Sequence, residues 1–292
     1  MFDVASYHKA NSITEAIALL GQYPSSNLIA GGTDILVRLH EGNQDYQHLV
    51  DIHNIAELKK IERLQDGTIT IGSGATFSEI IDSPVIRETL PVLIEGAESI
   101  GGPQVRNAAT IGGNICNGAP SADSAAPLLV LNAHAELIGP DTKRLVPVEN
   151  FYLKPGQVDC KPGEILTCFQ IIPADYQNQS AKYIKYAMRD AMDIATIGCA
   201  GSCLQENGKI TELRLAYTVA GPTPLRCRTT EKAVLGMTVN EALIKKIKPL
   251  VLHDLMPRDS WRAGKDFREH IIIVLAERIL KEILNINIHL LY

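Results

Sequence analysis

The chain has 292 residues, 46% hydrophobic and 21% charged, enough apolar content for a sizeable core without staples, and at this length two domains are expected. A net charge of −5 with no lysine or arginine run excludes the broad positive footprint of a nucleic-acid binder. No apolar run approaches the ~20 residues of a membrane helix, and Met1-Phe2-Asp3 lacks the basic-then-apolar plan of a secretory signal, so a cytoplasmic protein with no membrane partner is expected.

Ser12, three residues before Glu15, reads as a capping box opening an amphipathic helix through Ile13, Ala16, Ile17, Leu19 and Leu20. Asn27 to Ala30 is a short strand ending at Gly31-Gly32, and Asp34 to Leu39 is helical or extended. Leu49 to Ile52 is a strand, and Ile61 to Leu64, Asp66-Gly67 and Thr68 to Ile71 make a β-hairpin. Phe77 to Ile100 is helical and interrupted at Pro84 and Pro91. A stretch with five glycines and little periodicity then runs from Gly101 to Gly118.

Asp123 to Leu131 opens a helix or lies extended, while Ala135 to Ile138, Leu145 to Val148 and Ile165 to Ile172 read as strands. Ala174 to Ser180 is short and polar, as a linker would be. Lys182 to Met188, Ala195 to Leu204 and Ile210 to Val219 form a strand meander turning at Asn207-Gly208, and Val239 to Leu255 and Phe267 to Leu284 are amphipathic helices. The C-terminal part is therefore expected to be α+β, a three-stranded sheet backed by helices.

Two diglycines stand out. In Leu28-Ile29-Ala30-Gly31-Gly32-Thr33-Asp34 and in Ala109-Thr110-Ile111-Gly112-Gly113-Asn114, a missing Cβ lets backbone N–H groups approach a phosphate, with Thr and a polar neighbour as further partners. Each pair alone is equally a tight turn. Together, some eighty residues apart, they suggest one dinucleotide gripped between two lobes. The nearest approach to a Rossmann fingerprint, Gly72-Ser73-Gly74-Ala75-Thr76-Phe77, has Phe77 in place of the third glycine, so another fold is required.

The six cysteines include no C-x-x-C pair, which leaves no zinc or iron-sulfur site spelled out. The histidines give no triad or ligand spacing. No catalytic acid, base or metal ligand is assigned.

Asn27 to Asp34, Ile71 to Thr76, Gln104 to Asn114 and Ser121-Ala122-Asp123, in this order and spacing, resemble the FAD subunits of molybdenum hydroxylases. Lys185 to Ile194 is most similar to the bacterial xanthine dehydrogenase branch, and the resemblance runs from Met1 to about Leu284. It implies an α+β fold with a two-lobed FAD-binding domain of the PCMH or vanillyl-alcohol-oxidase type at 1–176 (lobes 1–55 and 56–176). A CO dehydrogenase flavoprotein-like C-terminal domain would occupy 177–292.

By this similarity Asn27, Leu28, Ile29, Ala30, Gly31, Gly32, Thr33 and Asp34 would wrap the FAD pyrophosphate. Ala109, Thr110, Ile111, Gly112, Gly113 and Asn114 would contact phosphate and flavin, and Asp123 would accept hydrogen bonds from a polar part of the cofactor. Ile100 would pack near the ring, Ile165 and Leu166 would line an apolar wall or simply fill the core, and Ile184 and Lys185 would reach in from the C-terminal domain. Lys185 reads equally as a solvated charge, and Arg189, Asp190 and Asp193 either border the flavin or pair on a surface turn.

The resemblance also implies electron flow from 2Fe-2S clusters through FAD to an acceptor such as NAD. Since no cluster of ligands is present, the molybdopterin and 2Fe-2S centres would sit on separate large and small subunits, giving a hetero-oligomer such as a dimer of heterotrimers. The nearest alternative is the FAD subunit of another molybdenum hydroxylase, a CO, nicotinate or aldehyde dehydrogenase, and a non-catalytic nucleotide-binding or assembly protein on the same fold is the alternative from another class.

Overall fold

The protein is described by a computed structural model covering residues 3–285; Met1, Phe2 and 286–292, with the outer ends of both expected domains, lie outside the described residues. The chain opens with β1 (Ser6–Lys9), α1 (Ile13–Gln22), β2 (Asn27–Ile29), α2 (Ile35–His40) and β3 (His48–Asp51), a parallel sheet ordered β1-β3-β2. Ser12 caps α1 by accepting the Glu15 N–H, but the Glu15 carboxylate takes the Asn11 N–H rather than that of Ser12, so the capping box is only half formed. Ala16, Val50, Ile55 and Leu58 fill this lobe.

The second lobe begins with the hairpin β4 (Ile61–Arg63) and β5 (Ile69–Gly72), where Asp66 accepts the Thr68 N–H and Gly67 adopts φ +86°. Helices α3 (Phe77–Asp82), α4 (Pro84–Thr89) and α5 (Pro91–Glu98) follow. Pro84 and Pro91 each open a helix, where the missing N–H is free anyway, and Thr76 with Glu79 forms a complete capping box on α3. The glycine-rich stretch contains two short helices, α6 (Pro103–Arg106) and α7 (Ile111–Cys116), before α8 (Ala125–Val130). Then come β6 (His134–Ile138), β7 (Lys143–Pro147), α9 (Val148–Phe151), β8 (Tyr152–Lys154), β9 (Gln157–Val158) and β10 (Ile165–Ile171). They complete an antiparallel sheet ordered β4-β5-β10-β6-β7.

Residues 174–180 are not a free linker. Asp175 and Tyr176 are buried, and Arg214 pairs with the Asp175 carboxylate at 2.9 Å while donating to the carbonyls of Asp175 and Val130. The polarity that suggested solvent belongs to a buried ion pair.

The last part comprises β11 (Ser180–Tyr186), β12 (Ile197–Glu206), β13 (Lys209–Thr218), β14 (Leu225–Arg226), α10 (Arg228–Ala233), α11 (Glu241–Leu250) and α12 (Lys265–Ile283). Asn207 and Gly208 both have positive φ, as a tight hairpin turn requires. The expected three strands carry β14 as an added two-residue edge. The sheet lies between α12 and the second lobe's α5 and α8, so β12 is buried on both faces and reads as a continuous apolar run. At Gly201 a Cβ would stand 2.4 Å from Ile279 Cγ2, so glycine sets how closely α12 approaches.

Candidate cofactor-binding site

The three parallel strands of the first lobe end at Lys9, Ile29 and Asp51, and ligands of such sheets sit beyond the carboxyl ends of the strands. The β2-α2 turn stands there. Gly32 adopts φ +73°, and the N–H groups of Gly31, Gly32, Thr33 and Asp34 find no acceptor among the described residues. Consecutive free amides around a left-handed residue form an anion-binding concavity. It opens into a cavity of about 340 Å³ lined by Tyr7, Ile29, Leu36, Asp51, His53 and Asn107, among others. A Cβ on Gly31 would sit 1.8 Å from the Ala108 carbonyl oxygen, so at this glycine the backbones of the two lobes meet closely.

The second diglycine works differently. Gly112 and Gly113 lie inside the first turn of α7, not in a loop, and their amides are already used: Ile111 N–H donates to Ala75, Gly112 N–H to Ser73, and Gly113 N–H to the capping Thr110 Oγ1. A Cβ on Gly112 would lie 2.5 Å from Ser73 Cβ, which makes it a packing glycine, whereas Gly113 is exposed and meets only Thr110 Oγ1. The two pairs therefore differ in how many of their amides the fold itself uses. Ala109, Thr110, Ile111 and Gly112 are buried, and Asn114 accepts the Ser124 hydroxyl at 2.6 Å.

A second group forms where the C-terminal sheet meets the second lobe. Lys185 Nζ donates to the Ser99 carbonyl (2.9 Å), Asp123 Oδ2 (2.8 Å) and the Asp193 carbonyl (2.7 Å), which engages all three of its protons. Asp123 Oδ1 accepts the Tyr183 hydroxyl. Burial pushes the Asp123 carboxyl up despite Lys185 and Tyr183, and burial, then Asp123, pushes the Tyr183 phenol up. Ile100 is buried beside this group, its carbonyl accepting from Arg106.

Three more of the expected residues are placed by their packing. Ile165 packs in the core of the first lobe and Leu166 in that of the second, which matches their core alternative. Ile184 alternates to the α12 face, away from Tyr183 and Lys185. Asp193 accepts the N–H groups of Met188, Arg189 and Ile194 and so closes a surface turn, with Arg189 3.9 Å away.

Sequence reasoning missed Tyr7, Leu36, Asp51 and His53. Tyr7 donates to the Asp51 carboxylate, a bond that pushes the phenol up, and the buried His53 Nδ1 has no hydrogen-bond partner among the described residues. Ser6-Tyr7-His8-Lys9 has no apolar alternation to mark it as a strand, so only the fold brings Tyr7 to the cavity. Burial pushes the Cys160 thiol to about 11 and that of Cys203 to about 12, values of unreactive thiols. Among the described residues no group of His, Cys, Asp and Glu is placed to hold a metal, and no helix is long and apolar enough to cross a membrane.

A family model described as the FAD binding domain in molybdopterin dehydrogenase matches residues 2–174, and one for the CO dehydrogenase flavoprotein C-terminal domain matches 182–283. The xanthine dehydrogenase FAD-binding subunit of Escherichia coli O157:H7 is 47% identical over 97% of both chains. The carbon monoxide dehydrogenase medium chain of Hydrogenophaga pseudoflava is 32% identical over 96% of this chain and 95% of that one. A solved structure of carbon monoxide dehydrogenase from the same organism, lacking the Mo-pyranopterin moiety of the molybdenum cofactor, superposes with a TM-score of 0.92 at 30% identity, covering 98% of this chain and 99% of that one. A fold, a glycine-lined cradle and these likenesses agree, and the chain belongs to the family of FAD-binding subunits of molybdopterin dehydrogenases.

Proposed function

We propose that this chain is the FAD-carrying subunit of a xanthine dehydrogenase-type complex in the cytoplasm. Electrons would come from 2Fe-2S clusters on a small partner subunit and leave toward NAD, while substrate is oxidised at a molybdopterin centre on a large one. The observation that carries the reading is the run of amides from Gly31 to Asp34 without an acceptor among the described residues, which starts at Gly31 and Gly32 on the wall of a cavity lined by both lobes. A pyrophosphate needs such donors, and the residues present fit it.

In this reading Asn27 to Asp34 hold the pyrophosphate, with Gly32 in the conformation that aims the amides. The exposed face of Gly113 and the cap residue Thr110 border the cofactor, while Gly112, Ile165, Leu166 and Ile184 support it by packing. Asp123 and Lys185 fix the C-terminal unit, 177–292, against the FAD-binding unit, 1–176, beside Ile100. Bound FAD supplies the redox chemistry, and the protein contributes position, charge and exclusion of water. The hetero-oligomer, a heterotrimer or a dimer of heterotrimers, is supported by the likeness to one chain named an FAD-binding subunit and another named a medium chain.

The isolated flavin-loaded chain is expected to lose its visible flavin absorbance on anaerobic mixing with NADH and to keep it with xanthine. Bleaching by xanthine alone overturns the division of labour between subunits. Indifference to NADH overturns NAD as the acceptor.

A further inference from the structure

Arg268, near the start of α12, is only 3% exposed. Its Nη1 donates to the Thr196 carbonyl and its Nη2 to Ser260 Oγ at 2.7 Å, yet among the described residues no carboxylate forms an ion pair with it and its Nε has no partner. Arg262 Nε and Thr196 Oγ1 are likewise buried without partners. A guanidinium taken out of water without a counter-charge costs several kcal/mol, roughly as for other buried ions. Two more cations add to this, since burial first, then Arg258 and Arg262, hold the Arg268 guanidinium below its usual range. Asp259 opposes them weakly, and its Oδ1 already accepts the Lys265 N–H. Lys265 is itself paired with Glu269, and Asp266 stands exposed in the first turn of α12.

Next to the arginines the surface is apolar. Trp261 is 80% exposed, with the Arg262 guanidinium 4.2 Å from its ring centroid, and Met256 and Phe267 are also exposed. None of these residues lines the cavity at Gly31. Built on the reading of this chain as one subunit of a complex, we propose that Arg258, Arg262, Arg268 and Trp261 form a docking site for an acidic segment of a partner protein chain. A carboxylate of that segment enters among the arginines, and its neighbouring apolar side chains lie over Trp261 and Phe267. A free small anion would match the charge but leave the aromatic surface uncovered, and Tyr186, in contact with Phe267, continues that surface toward the turn closed by Asp193.

Trp261 is the sole tryptophan of the chain, so its emission reports this site alone. The flavin-loaded full chain is titrated with a short peptide of alternating glutamate and leucine and, in parallel, with inorganic phosphate at roughly 50 and 200 mM salt, across which screening of exposed charges grows. The peptide is expected to shift the emission saturably, more weakly at the higher salt. Arg258→Glu and Arg262→Glu should weaken the response at least tenfold while flavin content and melting temperature stay unchanged. An equal response from phosphate overturns the peptide assignment, and no response, or one insensitive to both substitutions, overturns the site.

Co-expression with the partner chains separates this proposal from the one on which it rests. Wild type that retains its partners while the charge-reversed chains lose them supports the docking site. Retention by all of them overturns docking and leaves the proposed function standing. A wild-type chain that carries neither flavin nor partners overturns both.

Discussion

Gly32→Val should give a soluble, folded and colourless protein, whereas Gly112→Val should give little folded protein at all. At Gly32 the backbone has φ +73°, so a β-branched residue adds strain of about 1–3 kcal/mol. The nearest obstacle, however, is the tip of the Leu36 side chain at 3.0 Å, which can turn away. What suffers is the cradle, because the new side chain changes the aim of the amides from Gly31 to Asp34. Losing two charge-assisted hydrogen bonds at about 1.5–3 kcal/mol each weakens FAD by a hundredfold or more.

At Gly112 the obstacles are Ser73 Cβ at 2.5 Å and the Ser73 carbonyl at 2.6 Å, and Ser73 is itself fixed by donating its N–H to Thr167. Nothing there is a flexible side-chain tip. The clash therefore falls on a protein whose whole stability is about 5–15 kcal/mol. Soluble yield, melting temperature and flavin absorbance per mole of protein separate the two outcomes. Full flavin occupancy in Gly32→Val would remove the pyrophosphate from this turn.

Lys185→Met should destabilise the flavin-loaded chain by about 3–5 kcal/mol near neutral pH, and Lys185→Met with Asp123→Asn should restore most of that loss. The single change leaves the Asp123 carboxylate, 7% exposed, with only the Tyr183 hydroxyl. In the double change an amide oxygen still accepts from Tyr183 and no buried charge remains. The sign of the pH dependence follows from the carboxyl's position. Burial already raises it above its unfolded value, and removing Lys185 raises it further, so the deficit is present once pH exceeds that raised value and shrinks on acidification as the carboxyl takes up a proton. Urea midpoints of wild type, both single variants and the double variant at pH 8 and pH 5 test this. A Lys185→Met variant as stable at pH 8 as the double one would mean that the unpaired Asp123 carboxylate carries no cost, which overturns the prediction.

Much of the fold was legible because local signals and tertiary structure agree: a helical stretch interrupted at Pro84 and Pro91, Asn207-Gly208 as a hairpin turn, and a strand on either side of it. Within the glycine-rich stretch α6 and α7 were missed, since helices of four and six residues have too little periodicity to show and α7 holds two glycines that disfavour helix. The site was half legible. Gly31-Gly32 was recognisable as a cradle, but its twin at Gly112-Gly113 looks the same on paper and differs only in whether neighbouring carbonyls, those of Ala75 and Ser73, have taken its amides. Asp123 and Lys185 were expected at the cofactor, and their mutual pairing spans 62 positions, which no spacing rule reveals.

The contact between Gly31 and Ala108 also sets a timetable for synthesis. Domains fold as units from the N-terminus at roughly 5–20 residues per second of translation, so the wall carrying Ala108 emerges seconds after the turn it must meet. Strand β10, which pairs with both β5 and β6, arrives later still. The nascent chain thus cannot capture its cofactor early; both walls stand only once synthesis has passed β10, which ends at Ile171. Ligand stabilisation scales as RT ln(1 + [L]/Kd), so each newly released chain passes through a period without that support. The length of that period depends on flavin supply, and in a flavin-starved cell the steady-state amount of this subunit should fall through proteolysis even when its messenger is unchanged.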